Sequence, residues 1–122
     1  MNKIKWITQA IAQPSSIQKE LFPDFANVAD ELAVEWELAL DEVNLPSITI
    51  LMSDEQKASI KRLDDYMLSI SGPTNIQFWN DDALCHSSEW EYMRTLAREI
   101  LLSMGWEMTA PAKSDAIYIN KG

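Results

Sequence analysis

Few side chains in this sequence could do chemistry, and their spacing limits what each can do. Cys85 and His86 stand side by side as the only cysteine and the only histidine. A thiol and an imidazole can form a nucleophile and its base, but the two must meet through space. Neighbours on a helix point about 100° apart. A soft-ligand metal site needs further His or Cys donors, and the sequence has none. The run His86-Ser87-Ser88 reads more simply as a turn entering a helix.

Paired carboxylates occur at Asp30-Glu31, Asp41-Glu42, Asp54-Glu55, Asp64-Asp65 and Asp81-Asp82. Acid–base catalysis needs the two members of a pair in unlike surroundings. Asp54-Glu55 falls where the first turn of a helix is expected, which favours acids. Asp64-Asp65 reads as a solvated face beside Lys61 and Arg62. Arg94 and Arg98 lie one turn apart, with Glu91 placed to pair with Arg94. A phosphate or carboxylate clamp is conceivable there, and ordinary surface pairing is the simpler account. Three glycines in all leave little from which to build a phosphate-binding loop. The expectation is therefore a chain with no catalytic residue, no cofactor and no metal, which acts by binding and not as an enzyme.

The elements around these residues are mostly helical. Lys3 to Gln13 reads as a short helix stopped by Pro14. Ser15 and Ser16 can cap a second one that runs to about Phe22. Asp24 is expected to cap the longest helix, ending near Val43, with Phe25, Ala29, Leu32, Ala33, Trp36, Leu40 and Val43 as its core stripe. Ser47 to Met52 fits either a short strand or a buried loop. Ser53 and Gln56 form a capping-box pattern opening a helix to about Ser71, with Ile60, Leu63, Met67 and Ile70 as its seam. Gly72-Pro73 ends it.

A helical turn is expected near Asn80 to Leu84. Ser88 and Glu91 then suggest a second capping box, starting a helix to Met104 whose stripe is Trp90, Met93, Ala97, Ile100, Leu101 and Met104. Gly105 is placed as its left-handed cap. Trp106 to Thr109 and Ala116 to Asn120 read as two short strands across a polar loop. The expected architecture is a single domain over residues 1–122, mainly α, an irregular bundle of about five helices with a candidate β-hairpin near the C-terminus. With 122 residues and 47% hydrophobic content, one packed core is within reach.

Charge is the most informative bulk property. A net charge of −9 disfavours direct contact with nucleic acid or an anionic membrane and favours a basic protein partner, although acidity can also serve solubility alone. No stretch reaches the roughly 18 apolar residues of a spanning helix. The N-terminus lacks the apolar run and cleavage site of a signal peptide, and a single cysteine gives no internal disulfide, so a cytoplasmic location is expected.

The acids are unevenly spread. From Glu20 to Gln56 there is no Lys or Arg, while Glu20, Asp24, Asp30, Glu31, Glu35, Glu37, Asp41, Glu42, Asp54 and Glu55 all fall there. Glu31–Glu35 and Glu37–Asp41 have the i,i+4 spacing at which like charges weaken a helix by a few tenths of a kcal/mol. Val34 and Leu38 project opposite the core stripe, among Glu31, Glu35, Asp41 and Glu42. An apolar pair ringed by charge has the make-up of a binding surface. The competing account buries this helix on both sides, with Val34 and Leu38 packed against another segment. Glu31, Val34, Glu35, Leu38, Asp41 and Glu42 are the candidate partner-binding residues.

In size, in charge, and in the segments Phe78-Trp79-Asn80-Asp81-Asp82-Ala83-Leu84 and Ser88-Glu89-Trp90-Glu91-Tyr92-Met93-Arg94, the chain resembles small helical immunity proteins of bacterial contact-dependent inhibition and related polymorphic toxin systems. The resemblance covers about a quarter of the chain and carries over no site residue. It implies a one-to-one complex with a cognate toxin, often a nuclease, whose active site the immunity protein covers. Two other classes fit the same acidic surface: a phage-type inhibitor or nucleic-acid mimic that binds a basic host protein, and a small regulatory or oligomerising helical domain. A small hydrolase using His86 is the enzymatic alternative.

Overall fold

Prolines and capping side chains set where each helix starts and stops. The computed structural model describes residues 2–113. It contains α1 (Asn2–Ile11), α2 (Ser15–Glu20), α3 (Val28–Val43), α4 (Pro46–Thr49), α5 (Asp54–Ser69), a 3-10 helix (Pro73–Phe78), α6 (Asp81–His86) and α7 (Ser88–Met104). The mainly helical class expected from the periodicity is observed. No strand occurs among the described residues. The proposed strand Ala116 to Asn120 lies outside them.

Several boundaries match their chemical signals. Ser53 and Gln56 make a complete capping box, with Ser53 Oγ accepting from the Gln56 amide and Gln56 Oε1 accepting from the Ser53 amide. Asn80 caps α6 by accepting from the Ala83 amide. Gly105 takes the left-handed conformation at φ 70°, and the Trp106 and Gly105 amides turn back to the Leu101 and Leu102 carbonyls. That is the Schellman pattern, which favours glycine because a side chain is strained at positive φ.

Other boundaries differ from expectation. Asp24 does not cap α3. Asn27 does, because Pro23 to Ala26 closes a separate turn through the Ala26 amide and the Pro23 carbonyl. The helical wheel therefore does not extend back to Phe25, which is 71% exposed and leaves the core stripe. Pro14 occupies the N-cap position of α2, so Ser15 and Ser16 lie inside that helix and neither caps it. Ser87, not Ser88, caps α7 by accepting from the Trp90 amide. Ser47 to Met52 is neither strand nor buried loop. Pro46 at the first helical position starts the short α4, Ile50 and Leu51 are exposed, and only Met52 turns inward. The longest helix is α7 with 17 residues, against 16 in α3.

The helices pack in the order α5, α7, α1, α3, each against the next. α3 and α5 are linked across the open side by Trp36, which donates its indole N–H to Asp64 at 3.1 Å. The apolar stripes meet inside. Ile4, Ile7 and Ile11 of α1, Leu32 and Trp36 of α3, Leu63 of α5, and Trp90, Met93 and Ile100 of α7 are all sealed from solvent. The seam Ile60, Leu63, Met67 and Ile70 is buried as expected.

After Gly105 the chain doubles back over α1. Trp6 and Gln9 of that helix, and Gln13 just past its end, reach the returning segment. Their side chains donate to the carbonyls of Ala112 at 2.8 Å, Glu107 at 3.0 Å and Met108 at 3.1 Å. Trp106 to Thr109 is thus an extended strap held by helix side chains, and not a strand in a ladder.

Arg94 is the largest departure from expectation. It is 4% exposed, so the surface-pairing account of this residue is wrong. Its Nε donates to the Gln13 carbonyl at 3.0 Å, and Nη2 donates to Gln18 Oε1 at 3.0 Å and to the Leu84 carbonyl. Nη1 reaches Glu91 at 3.3 Å, the one contact that the spacing had indicated. Burial pushes the guanidinium below its usual range, and Glu91 opposes that shift. Removing the cation strands three buried acceptors at once. Arg94→Met is expected to lower stability by about 3–5 kcal/mol in urea denaturation, and Arg94→Lys, which lacks the fork, by an intermediate amount. Arg62→Ala removes an exposed pair with Glu99 and should stay within about 0.5 kcal/mol.

Candidate functional site

α3 has two faces of opposite character. Val28, Ala29, Leu32, Trp36, Ala39 and Val43 turn inward and are buried. On the other side Val34 is 49% exposed and Leu38 45% exposed, so the account that packs them against another segment is overturned. Leu45, just past the helix end, is 51% exposed. Spacings of three and four residues align Val34, Leu38, Asp41 and the position of Leu45 along the outer line of the helix.

Carboxylates border this line on both sides. Glu31, Glu35 and Glu42 follow one flank, and Asp30, Glu37 and Asp41 follow the other or lie on the line. Of the six predicted site residues, Val34, Leu38 and Asp41 are exposed on the outer side of α3, while Glu31, Glu35 and Glu42 are half-buried along its flank. Asp30 and Glu37 belong with them and were absent from the sequence-derived set. The helical wheel alone places both there, since each lies three or four residues from Val34.

The acids are not electrically equivalent. Asp30 is raised above its ordinary carboxylate range, first by partial burial and then by the charge of Glu31. Glu35 is raised for the same two reasons, and Lys3 on α1 pulls it partly back. Lys3 thus supplies basic relief that no residue near α3 in sequence provides. Asp30 and Glu31 sit in the first turn, where the helix dipole favours them. Asp41 and Glu42 sit in the last turn, where it opposes them, and no basic residue shares that turn.

The remaining clefts are engaged locally. A cavity of about 250 Å³ between α3 and α5 has Leu40, Val43, Met52 and Ile60 in its wall, with Lys57 and Lys61 beside them. Lys61 bonds Asp65 at 3.1 Å, and Lys57 lies 3.9 Å from Asp54. A groove of about 330 Å³ between α5 and α7 contains Ser59 and Ser103, whose hydroxyls lie 3.1 Å apart, each also within reach of a backbone carbonyl of its own helix, so that one donates to the other or both donate to backbone. Cys85 is half-buried at the end of α6 and His86 is exposed beside it. Among the described residues no three His, Cys, Asp or Glu side chains converge as metal ligands, and no helix is long and apolar enough to cross a membrane.

Comparison with protein-family models, with curated proteins and with solved structures finds no match for this chain.

Two outcomes follow for the free protein. Leu38→Asp should leave the helical circular-dichroism spectrum and melting curve nearly unchanged, whereas Leu32→Ala, on the buried side, should cost about 2–5 kcal/mol. The raised Glu35 binds its proton more tightly when folded. Its charged form therefore weakens the fold as pH climbs from the ordinary carboxylate range through the raised value. Glu35→Gln should raise the melting temperature at pH 7 by about 1–2 °C, with no gain below the ordinary carboxylate range. An equal shift at both pH values would contradict that assignment.

Proposed function

We propose that this chain is an immunity protein, which neutralises a basic toxin, most simply a nuclease, by covering its active site in a one-to-one complex in the cytoplasm. It acts by binding and not by catalysis. The observation that carries the reading is the solvent-exposed pair Val34 and Leu38 on α3, bordered by Asp30, Glu31, Glu35, Glu37, Asp41 and Glu42. An apolar centre with a charged rim is the usual make-up of a specific protein interface.

The physics of the role is consistent with this surface. A nuclease site is basic because it binds phosphate. An acidic helix is steered towards it and can exchange water for close charge pairs. Carboxylates buried without partners cost several kcal/mol, so the partner has to match them closely. Raised carboxyls such as Asp30 and Glu35 give up protons on meeting cations, so affinity should fall as pH drops towards their titration range.

The test is affinity capture from the native cells, followed by assay of the captured protein. The expected result is a basic protein whose nuclease activity falls to zero at one equivalent of added chain. Leu38→Asp and Asp41→Lys should each raise the amount of chain needed by about tenfold or more while the free variants stay folded. Capture of nothing, or only of further copies of the chain, would remove this reading.

A further inference from the structure

The outer line of α3 has a seven-residue register, and that register describes the partner. With Val34 at a d position and Leu38 at the next a position, Asp41 falls on d and Leu45 on a. Glu31 occupies the preceding a position. In this frame Asp30 and Glu37 are g positions and Glu35 and Glu42 are e positions. Every e and g position from residue 30 to residue 42 is therefore acidic. The b, c and f positions Leu32, Ala33, Trp36, Ala39, Leu40 and Val43 are the buried or half-buried ones, facing the protein's own core. α3 thus presents to solvent a line of seven-residue register on which Val34 and Leu38 lie between Glu31 and Asp41.

The charge pattern selects the occupant. A second copy of this chain would set acid against acid at every e and g contact, whether the helices ran parallel or antiparallel. Like charges facing each other across such a seam destabilise it, so the seam works against self-pairing. A helix with apolar a and d residues and Lys or Arg at e and g would meet opposite charge along the whole 16-residue length of α3, about 24 Å. Facing Asp41, inside the seam, it would also need a cation.

We propose that the element of the partner seated on α3 is an amphipathic basic helix, docked in coiled-coil fashion along Val34, Leu38 and Leu45. This rests on the reading of α3 as the toxin-binding face, and it names the structure that the face accepts. A flat basic surface or an extended loop would use the carboxylates but would not require the seven-residue register.

The probe is a labelled three-heptad peptide with Lys at e and g, Leu at the a and d positions that face Val34, Leu38 and Leu45, and Lys at the one that faces Asp41, titrated with the full chain by fluorescence anisotropy. Two control peptides accompany it. One carries Glu at e and g, and the other has the same composition in scrambled order. The basic heptad peptide should bind at least about tenfold more tightly than either control, and high salt should weaken it by about tenfold. Leu38→Asp should weaken binding by a similar factor, as should the double variant Glu37→Lys with Asp41→Lys, which changes only exposed side chains.

Equal binding of the scrambled peptide, indifference to Leu38→Asp, or self-association of the chain through this face would each overturn the proposal. The two proposals fail separately. A nuclease neutralised in a Leu38-dependent way, with no affinity for the basic heptad peptide, would sink the helical partner alone. Peptide binding without any neutralised toxin would sink the immunity reading alone.

Discussion

The buried guanidinium of Arg94 holds this fold in register. It sits where the C-terminal ends of α1 and α6 meet the flank of α7. Both of those ends present carbonyl oxygens that no following turn of helix can satisfy. Leu84 supplies one of them to Arg94, Gln13 just past α1 supplies a further carbonyl, and Gln18 ties in the end of α1, since its amide nitrogen donates to the Ala10 and Ile11 carbonyls while its oxygen accepts from Arg94. A cation taken out of water is costly, and here the negative ends of two helix dipoles, a polarised amide and Glu91 offset that cost together. Lysine could not do this, because a single ammonium cannot reach acceptors spread over a planar fork. Arg94 therefore fixes the path of the α1–α2 corner and the seat of α6.

Such a scaffold allows α3 to be charged on its outside. Asp41 and Glu42 oppose the helix dipole, and Glu31–Glu35 and Glu37–Asp41 repel each other. The helix holds because Leu32 and Trp36 lie deep in the core, because Asn27 caps it, and because Lys3 stands near Glu35. Packing of one face stabilises the helix well beyond the few tenths of a kcal/mol that each like-charge pair removes. The unfavourable charges are thus carried by an element whose inner face is well anchored.

Most of this was legible where local chemistry decides structure. The capping box at Ser53, the glycine cap at Gly105, the Asn80 turn and the seam of α5 all depend on residues a few positions apart, and sequence spacing reports those directly. Failures arose where distant segments compete. Phe25 fits the helical wheel of α3, but the turn closed at Pro23 ends the helix before it. Trp106 to Thr109 alternates like a strand, but its carbonyls are taken by Gln9 and Gln13 from the far end of the chain. Arg94 was misjudged because a cation near a glutamate on a helix is usually exposed. Its real partners, Gln13, Gln18 and Leu84, come from three other segments. The candidate face was legible because it lies on one helix, yet its openness to solvent was not, since that depends on where every other helix goes.

Those two facts are connected. An interface helix is useful only if its outer side chains are held still before the partner arrives, since ordering them on contact subtracts from affinity. α3 is locked on its inner side by Trp36, whose ring is buried and whose indole N–H is fixed on Asp64. The α1 helix against which α3 packs is in turn fixed at its C-terminal end by Arg94 and along its flank by the strap after Gly105. Rigidity therefore runs from a buried polar centre, through α1, to a surface that carries exposed Val34 and Leu38 among like charges. A chain that merely needed solubility could scatter its acids over any loop. Here they are concentrated beside an apolar line, on a helix held from behind, and that placement is what supports the proposed partner surface.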